Sequence, residues 1–194
     1  EANQACSAPW PEADGLVSDR GSQSLWVCGA DCTPVLIADP TTGHTAACHA
    51  GWRGVAARIL PTAVDHLEAR GASRDDLVVA LGPAVSGARY QVGDDVVTAI
   101  AASIGSVSNG RTALVEAGAV QVDPEPGRYR FDLRMATVLQ LELAGLNPEK
   151  ISSCPLCTAS EPELFHSWRR DRVKTVQWNG IVSQAEDSGE SLRS

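Results

Sequence analysis

Apolar residues come in short continuous runs near the start of the chain and at helical spacing further on. SLWVCGA (24–30) and TPVLIAD (33–39) are rich in large and β-branched side chains and are bounded by Gly, Asp and Pro, so they predict two buried strands. DPTTG, between Ile37 and His44, has turn chemistry, and HTAACHAG (44–51) predicts a third strand directly after it. From Gly54 the pattern changes: Val55, Ile59, Leu60, Ala63, Val64 and Leu67 recur on one helical face, with Gly71 as the stop. Pro61 inside that stretch must either kink the helix or mark its true first turn.

The strand-then-helix grammar repeats. DLVVALGPAV and RYQV predict strands, and DDVVTAIAASIG predicts a helix with an acidic start and a terminal glycine. RYRFDL and RMATVLQLELAG follow the same order, and KISSCPLCT and TVQWNGIV predict two further strands. Residues 1–24, rich in Pro, Gly, Ser and acidic side chains, read as a loop or as the tail of something that begins further upstream, and QAEDSGESLRS (184–194) as a polar tail. The alternation lacks the regular rhythm of a doubly wound sheet and contains neither GxGxxG nor GxxxxGK[ST]. An α+β fold of mixed sheets with helices packed outside is therefore expected.

Composition narrows the partners more than the fold. The 194 residues, 43% hydrophobic, suffice for one sizeable core, so residues 1–183 are read as one domain. A net charge of -8 excludes a ligand gripped through many phosphates, so no nucleic-acid partner is expected. No run reaches the roughly 18–20 apolar residues of a membrane span, and the first residues lack the basic start and apolar centre of a leader. A cytoplasmic protein without a membrane partner is expected. Its six cysteines lie in a chain large enough to build a core, which favours free thiols over a disulfide scaffold.

Two residues stand out for chemistry. Cys32, in ADCTP, and His49, in CHAGW, each sit where an apolar strand gives way to turn residues, so their side chains are placed to meet at one sheet edge. A thiol beside an imidazole is a nucleophile with its base, a pair of metal ligands, or a packed core cysteine next to a satisfied histidine. The spacing leaves all three open. The GWRG that follows allows close backbone approach, and Arg53 at the start of the next helix would suit a phosphate or carboxylate. His44, an odd number of positions from His49, is expected on the opposite face, and His66 on a helix surface.

ADGLVSDR, GADCTPVLIAD, HAGWRG, LGPAVSGARYQVGDDV, FDL and CTASEPELFHSWRRD occur in this order and at these separations. The set, running from about Ala13 to Asp171, resembles the YfiH/YlmD family of laccase-domain proteins, also called multicopper polyphenol oxidase or peptidoglycan-editing-factor proteins. The resemblance implies a four-layer αββα sandwich of mixed sheets shared with cytotoxic necrotizing factor toxins. It also implies a pocket where one cysteine and two histidines bind zinc, and a purine nucleoside phosphorylase with adenosine deaminase activity. The implied partners are purine nucleosides with inorganic phosphate as co-substrate, and the protein is expected to be a monomer or homodimer. Carried over, the cysteine is Cys32 and one histidine is His49, as metal ligands and catalytic residues, with Arg53, Arg169 and Arg170 as substrate-binding candidates.

Three departures from the family pattern matter. The other histidine belongs to a Gln-Val-His-Gly motif upstream of ADGLV; these residues lack it, so the N-terminal part of the family domain is expected to be missing. Gln91 replaces a glutamate and cannot transfer a proton, and the segment after Asp171 is altered. Cys154 and Cys157 form C-x-x-C without a second ligand pair and are expected to be structural thiols. The rival readings are a copper polyphenol oxidase, a metal-free cysteine hydrolase and an inactive family scaffold. The copper reading conflicts with only four histidines in the chain.

Overall fold

A computed structural model describes residues 12–184. Cys6, the first part of the loop expected over 1–24, and all of the expected polar tail beyond Gln184 lie outside the described residues.

Among the described residues, ten strands and six α-helices follow one another. Strands β1 (Gly15–Val17), β2 (Ser24–Gly29), β3 (Thr33–Ala38) and β4 (Thr45–Ala50) lead into helices α1 (Trp52–Ala56) and α2 (Ile59–Glu68). Then come β5 (Val78–Leu81), β6 (Gln91–Gly93), α3 (Asp94–Ile104), α4 (Val107–Glu116), β7 (Val120–Val122) and β8 (Arg128–Phe131). The last elements are α5 (Leu133–Leu143), β9 (Ile151–Ser153), α6 (Trp168–Asp171) and β10 (Gln177–Val182). Five strands form a mixed sheet in the order β1-β4-β3-β5-β9, β10 pairs with β2 as a two-stranded ribbon, and β6-β8-β7 make a small third sheet. This is the α+β arrangement of mixed sheets that the sequence implies.

The two faces of the main sheet are filled differently. On one, Val35, Ile37, Ala46 and Cys48 meet Leu60, Val64 and Leu67 of α2 and Ile100 and Leu141 of α3 and α5 in the principal core. On the other, Leu16, Leu36 and Ala47 meet Leu25, Val27 and Ile181 of the ribbon. The period-2 alternation of β4 therefore sends Ala46 and Cys48 toward the helices, and Ala47 and His49 toward the ribbon.

Several boundaries differ from the sequence reading, each for a local reason. Gly15–Val17, expected in a loop, pairs with β4 as an edge strand. The helix expected from Gly54 is two helices divided at Arg58, whose φ of 61° breaks the first, and Pro61 sits in the opening turn of the second. Helix α4 carries only Gly110 and Leu114 as buried residues, so it shows no apolar stripe. It is capped by the Ser106 side chain, which accepts from the Asn109 N–H. Gly110 is where α4 meets α3: a Cβ there would fall 2.1 Å from the Ala101 carbonyl oxygen.

Candidate active site

The β3/β4 hairpin register builds the site. Thr33 pairs with Ala50 and Pro34 with His49, so Cys32, one residue before β3, arrives opposite Gly51. A Cβ on Gly51 would lie 3.2 Å from the Cys32 sulfur, so the glycine gives the thiol its space. The sequence-predicted pair is thus brought together, with the His49 ring hydrogen-bonded to Cys32.

Asp14 holds His49 twice. Its backbone carbonyl accepts the His49 N–H at 2.7 Å, and its carboxylate lies 3.0 Å from the ring Nδ1. With Nδ1 on the carboxylate, Nε2 is the nitrogen left for Cys32. The hydrogen bond with Cys32 is the largest cause raising the His49 pKa from 6.5 to about 9; burial opposes it and Asp14 adds to it. A cavity of about 290 Å³ opens beside His49 and Asp14, walled by Leu16, Cys28, Trp26 and Trp178. The neighbouring Cys48 faces the core instead, and burial pushes its thiol up to about 12.

On the far side of Cys32 lies Asp31, buried, with a φ of 97°. Thr158 Oγ donates to its carboxylate at 2.6 Å, Ser167 Oγ at 2.7 Å and the Arg169 backbone N–H at 2.6 Å. One carboxylate therefore ties the segment carrying Cys32 to two segments more than a hundred residues away. Tyr90 stands nearby: burial is the largest cause raising its pKa, the charges of Cys32 and Asp31 add to the rise, and those of Arg169 and Arg53 oppose it.

The other candidates divide. The Arg169 guanidinium lies over the Tyr90 ring at 4.8 Å, within reach of the Cys32 neighbourhood. Arg170 is committed to structure: it pairs with Asp171 at 2.7 Å and donates to the carbonyls of Thr158 and Phe165. Arg53 is exposed and rests on the Trp52 ring at 4.3 Å. Gln91 turns its amide to Asp123 and Glu125. His44 is buried against Ser18 at the opposite end of β4 from His49, roughly 16 Å away along the strand, and His66 is exposed on α2. Cys157 is raised by burial, but hydrogen bonds from Ser160, Ser86 and Ala159 outweigh that and bring it down to about 7. The five described cysteines are free thiols.

Sequence reasoning missed Asp14, Asp31 and Tyr90 as members of the site. Asp14, Asp31 and Tyr90 all lie inside quoted motifs, but only the tertiary pairing shows what their side chains hold.

Cys32 and His49 are two suitable ligands for a catalytic zinc, and the carboxylate behind His49 is the usual support for a metal-bound imidazole. Such a zinc takes three protein ligands, and no group of three or more metal-binding side chains occurs among the described residues. No helix among them is long and apolar enough to cross a membrane.

Residues 1–183 match the family model described as multi-copper polyphenol oxidoreductase laccase. A purine nucleoside phosphorylase of Synechocystis sp. is 44% identical over 181 residues, covering 89% of this chain and 69% of that protein. The purine nucleoside phosphorylase YlmD of Bacillus subtilis is 33% identical, covering 89% of this chain but 59% of its own length. Among solved structures, YlmD from Geobacillus stearothermophilus superposes with a TM-score of 0.77 at 34% identity, covering 91% of this chain and 63% of the other. YfiH of Bacillus licheniformis gives 0.75 at 32%, with 88% and 61% covered. The chain thus spans about three-fifths to two-thirds of the length of these proteins.

Proposed function

Since the chain belongs to the multi-copper polyphenol oxidoreductase laccase family, and the Synechocystis and Bacillus subtilis relatives are named purine nucleoside phosphorylases, we propose that it acts on purine nucleosides. The reaction is phosphorolysis, accompanied by deamination of adenosine. The observation that carries this reading is the Asp14–His49 pair, bonded in turn to Cys32, lining a cavity walled by two indoles. The Trp26 and Trp178 rings offer apolar faces for a purine base, and the polar pair stands beside them.

In phosphorolysis a phosphate oxygen bonds to the anomeric carbon as the bond to the purine nitrogen breaks. The purine leaves with the electron pair and must regain a proton. The attacking hydrogen phosphate gives up that proton as its oxygen bonds, so the step balances while His49, oriented by Asp14, keeps its ring nitrogen for a ligand. Cys32 as thiolate and His49 as neutral imidazole would hold zinc, which lowers the pKa of a bound water and so suits deamination. The described residues do not fit a multicopper oxidase centre. Of the four histidines, only His49 stands at Cys32; His44 is buried against Ser18, and His66 and His166 are exposed elsewhere.

The test is to incubate the protein and a Cys32→Ala variant with adenosine and phosphate and to separate adenine, inosine and hypoxanthine by chromatography. Product from the protein and none above background from the variant is expected; equal yields would refute the reading. One observation favours a second reading. Asp14, His49 and Cys32 are ordered as in a nucleophilic triad, which a metal-free cysteine hydrolase would use. Alkylation of Cys32 by iodoacetamide that is fast, needs His49 and is unaffected by zinc would favour that alternative.

A further inference from the structure

Four of the sixteen lysines and arginines of this acidic chain surround one cavity. Its volume is about 340 Å³, and Arg89, Arg130, Arg169 and Arg170 line it together with Ala88 and Ala159. The guanidiniums are not equivalent. Arg170 is neutralised by Asp171, and Arg130 pairs with Asp123 and donates to the Ala88 carbonyl. Arg89 has no carboxylate partner among the described residues. The Arg169 side chain has only the Tyr90 ring and a long contact, 3.5 Å, to the Gln91 carbonyl. Two uncompensated positive charges therefore face one cavity. They repel each other when it is empty, and a dianion between them would relieve that repulsion.

We infer that this cavity is the site of a phosphate group, gripped by Arg89 and Arg169, with Arg130 and Arg170 as its fixed walls. Guanidinium forks match phosphate oxygens, and the protein has already oriented two of the four through Asp123 and Asp171. The cavity shares no lining residue with the one at His49, and Arg169 is the link between it and Cys32. The Arg169 backbone is bonded to Asp31, next to Cys32, and its side chain lies on Tyr90, whose hydroxyl feels both the Cys32 and the Arg169 charges. Arg53, the alternative suggested by the sequence, is exposed, stacked on Trp52 and absent from the cavity wall. Its helix, α1, has only five residues, too few to present a useful dipole to an anion.

The assignment rests on the phosphorylase reading for its meaning but is tested apart from it. Calorimetric titration of the protein with inorganic phosphate, with ribose 1-phosphate and with uncharged ribose requires no turnover. Saturable binding of one or both phosphates and none of ribose is expected. Arg89→Gln should weaken binding roughly ten- to hundredfold, Arg89→Lys less, and Arg53→Gln not at all. Because Arg89 is exposed, an unchanged thermal midpoint should show that its variants are folded. Tighter inorganic phosphate assigns the site to the co-substrate, and tighter ribose 1-phosphate to the product. Equal affinity in Arg89→Gln and the unaltered protein, or no phosphate binding at all, overturns the inference. If phosphate binds through Arg89 but no nucleoside is cleaved, the phosphorylase reading fails and this site stands. If cleavage proceeds with the same KM for phosphate in Arg89→Gln, the site fails and the reading stands.

Discussion

Replacing Asp31 with Asn isolates what one buried carboxylate contributes to the site. Asn tolerates the positive φ at this position nearly as well as Asp, so the backbone term largely cancels. The hydrogen bonds do not cancel. In the protein one oxygen accepts both the Thr158 and Ser167 hydroxyls and the other accepts the Arg169 N–H. In the variant, the amide NH2 must face either that N–H or the two hydroxyls. With the oxygen kept on the hydroxyls, the Arg169 bond is lost and two donors oppose each other. A bond to a charged acceptor contributes about 1.5–3 kcal/mol, and a buried unsatisfied donor costs about 1–3 kcal/mol. Allowing for relaxation, the net loss is about 2–4 kcal/mol. For a chain of this length that lowers the thermal midpoint by roughly 4–16 °C. Urea unfolding followed by tryptophan fluorescence gives the free energy directly, and an unchanged m-value confirms that only stability has moved. A loss below about 1 kcal/mol would refute the view that Asp31 joins the Cys32 segment to Thr158 and Ser167.

Other expectations can be checked with simpler variants. Asp14→Asn should leave the urea midpoint nearly unchanged, because Asp14 is exposed, while reducing zinc affinity or turnover about 10–100-fold by freeing the His49 ring; equilibrium dialysis and initial rates measure the two. Gly110→Ala should destabilise by about 1–3 kcal/mol in urea despite the better helix propensity of alanine, since the new Cβ would collide with the Ala101 carbonyl. Leu67→Ala, at a fully buried position of α2, should cost about 2–5 kcal/mol by the same measurement. In native protein, mass mapping after brief iodoacetamide treatment should find Cys32 modified and Cys48 untouched until the chain is unfolded, because Cys48 is fully buried and Cys32 is not.

The strands that bear the site could be read from the chain because each is a run of six residues with turn chemistry at its ends. Cys32 and His49 were placed by that reading alone, since a short hairpin leaves little choice of register. Elements held by others were harder to see. β1 and β7 have three residues each, too few for a period, and α4 hides because a single glycine against a neighbouring backbone replaces an apolar stripe. Asp31 looked like a turn residue next to a cysteine. Its partners, 127 to 138 positions away, exist only once the fold is formed. The four arginines show the same limit: all are visible as letters, and only the folded chain shows that two are paired and two are not.

The central claim is that this chain cleaves a purine nucleoside with phosphate rather than with water. Phosphorus NMR of a reaction containing inosine and inorganic phosphate tests it most directly, with His49→Ala in parallel. The account predicts a ribose 1-phosphate signal growing in step with hypoxanthine, absent without added phosphate and lost in the variant. Free ribose appearing at the same rate with or without phosphate, or a signal undiminished in His49→Ala, would contradict it.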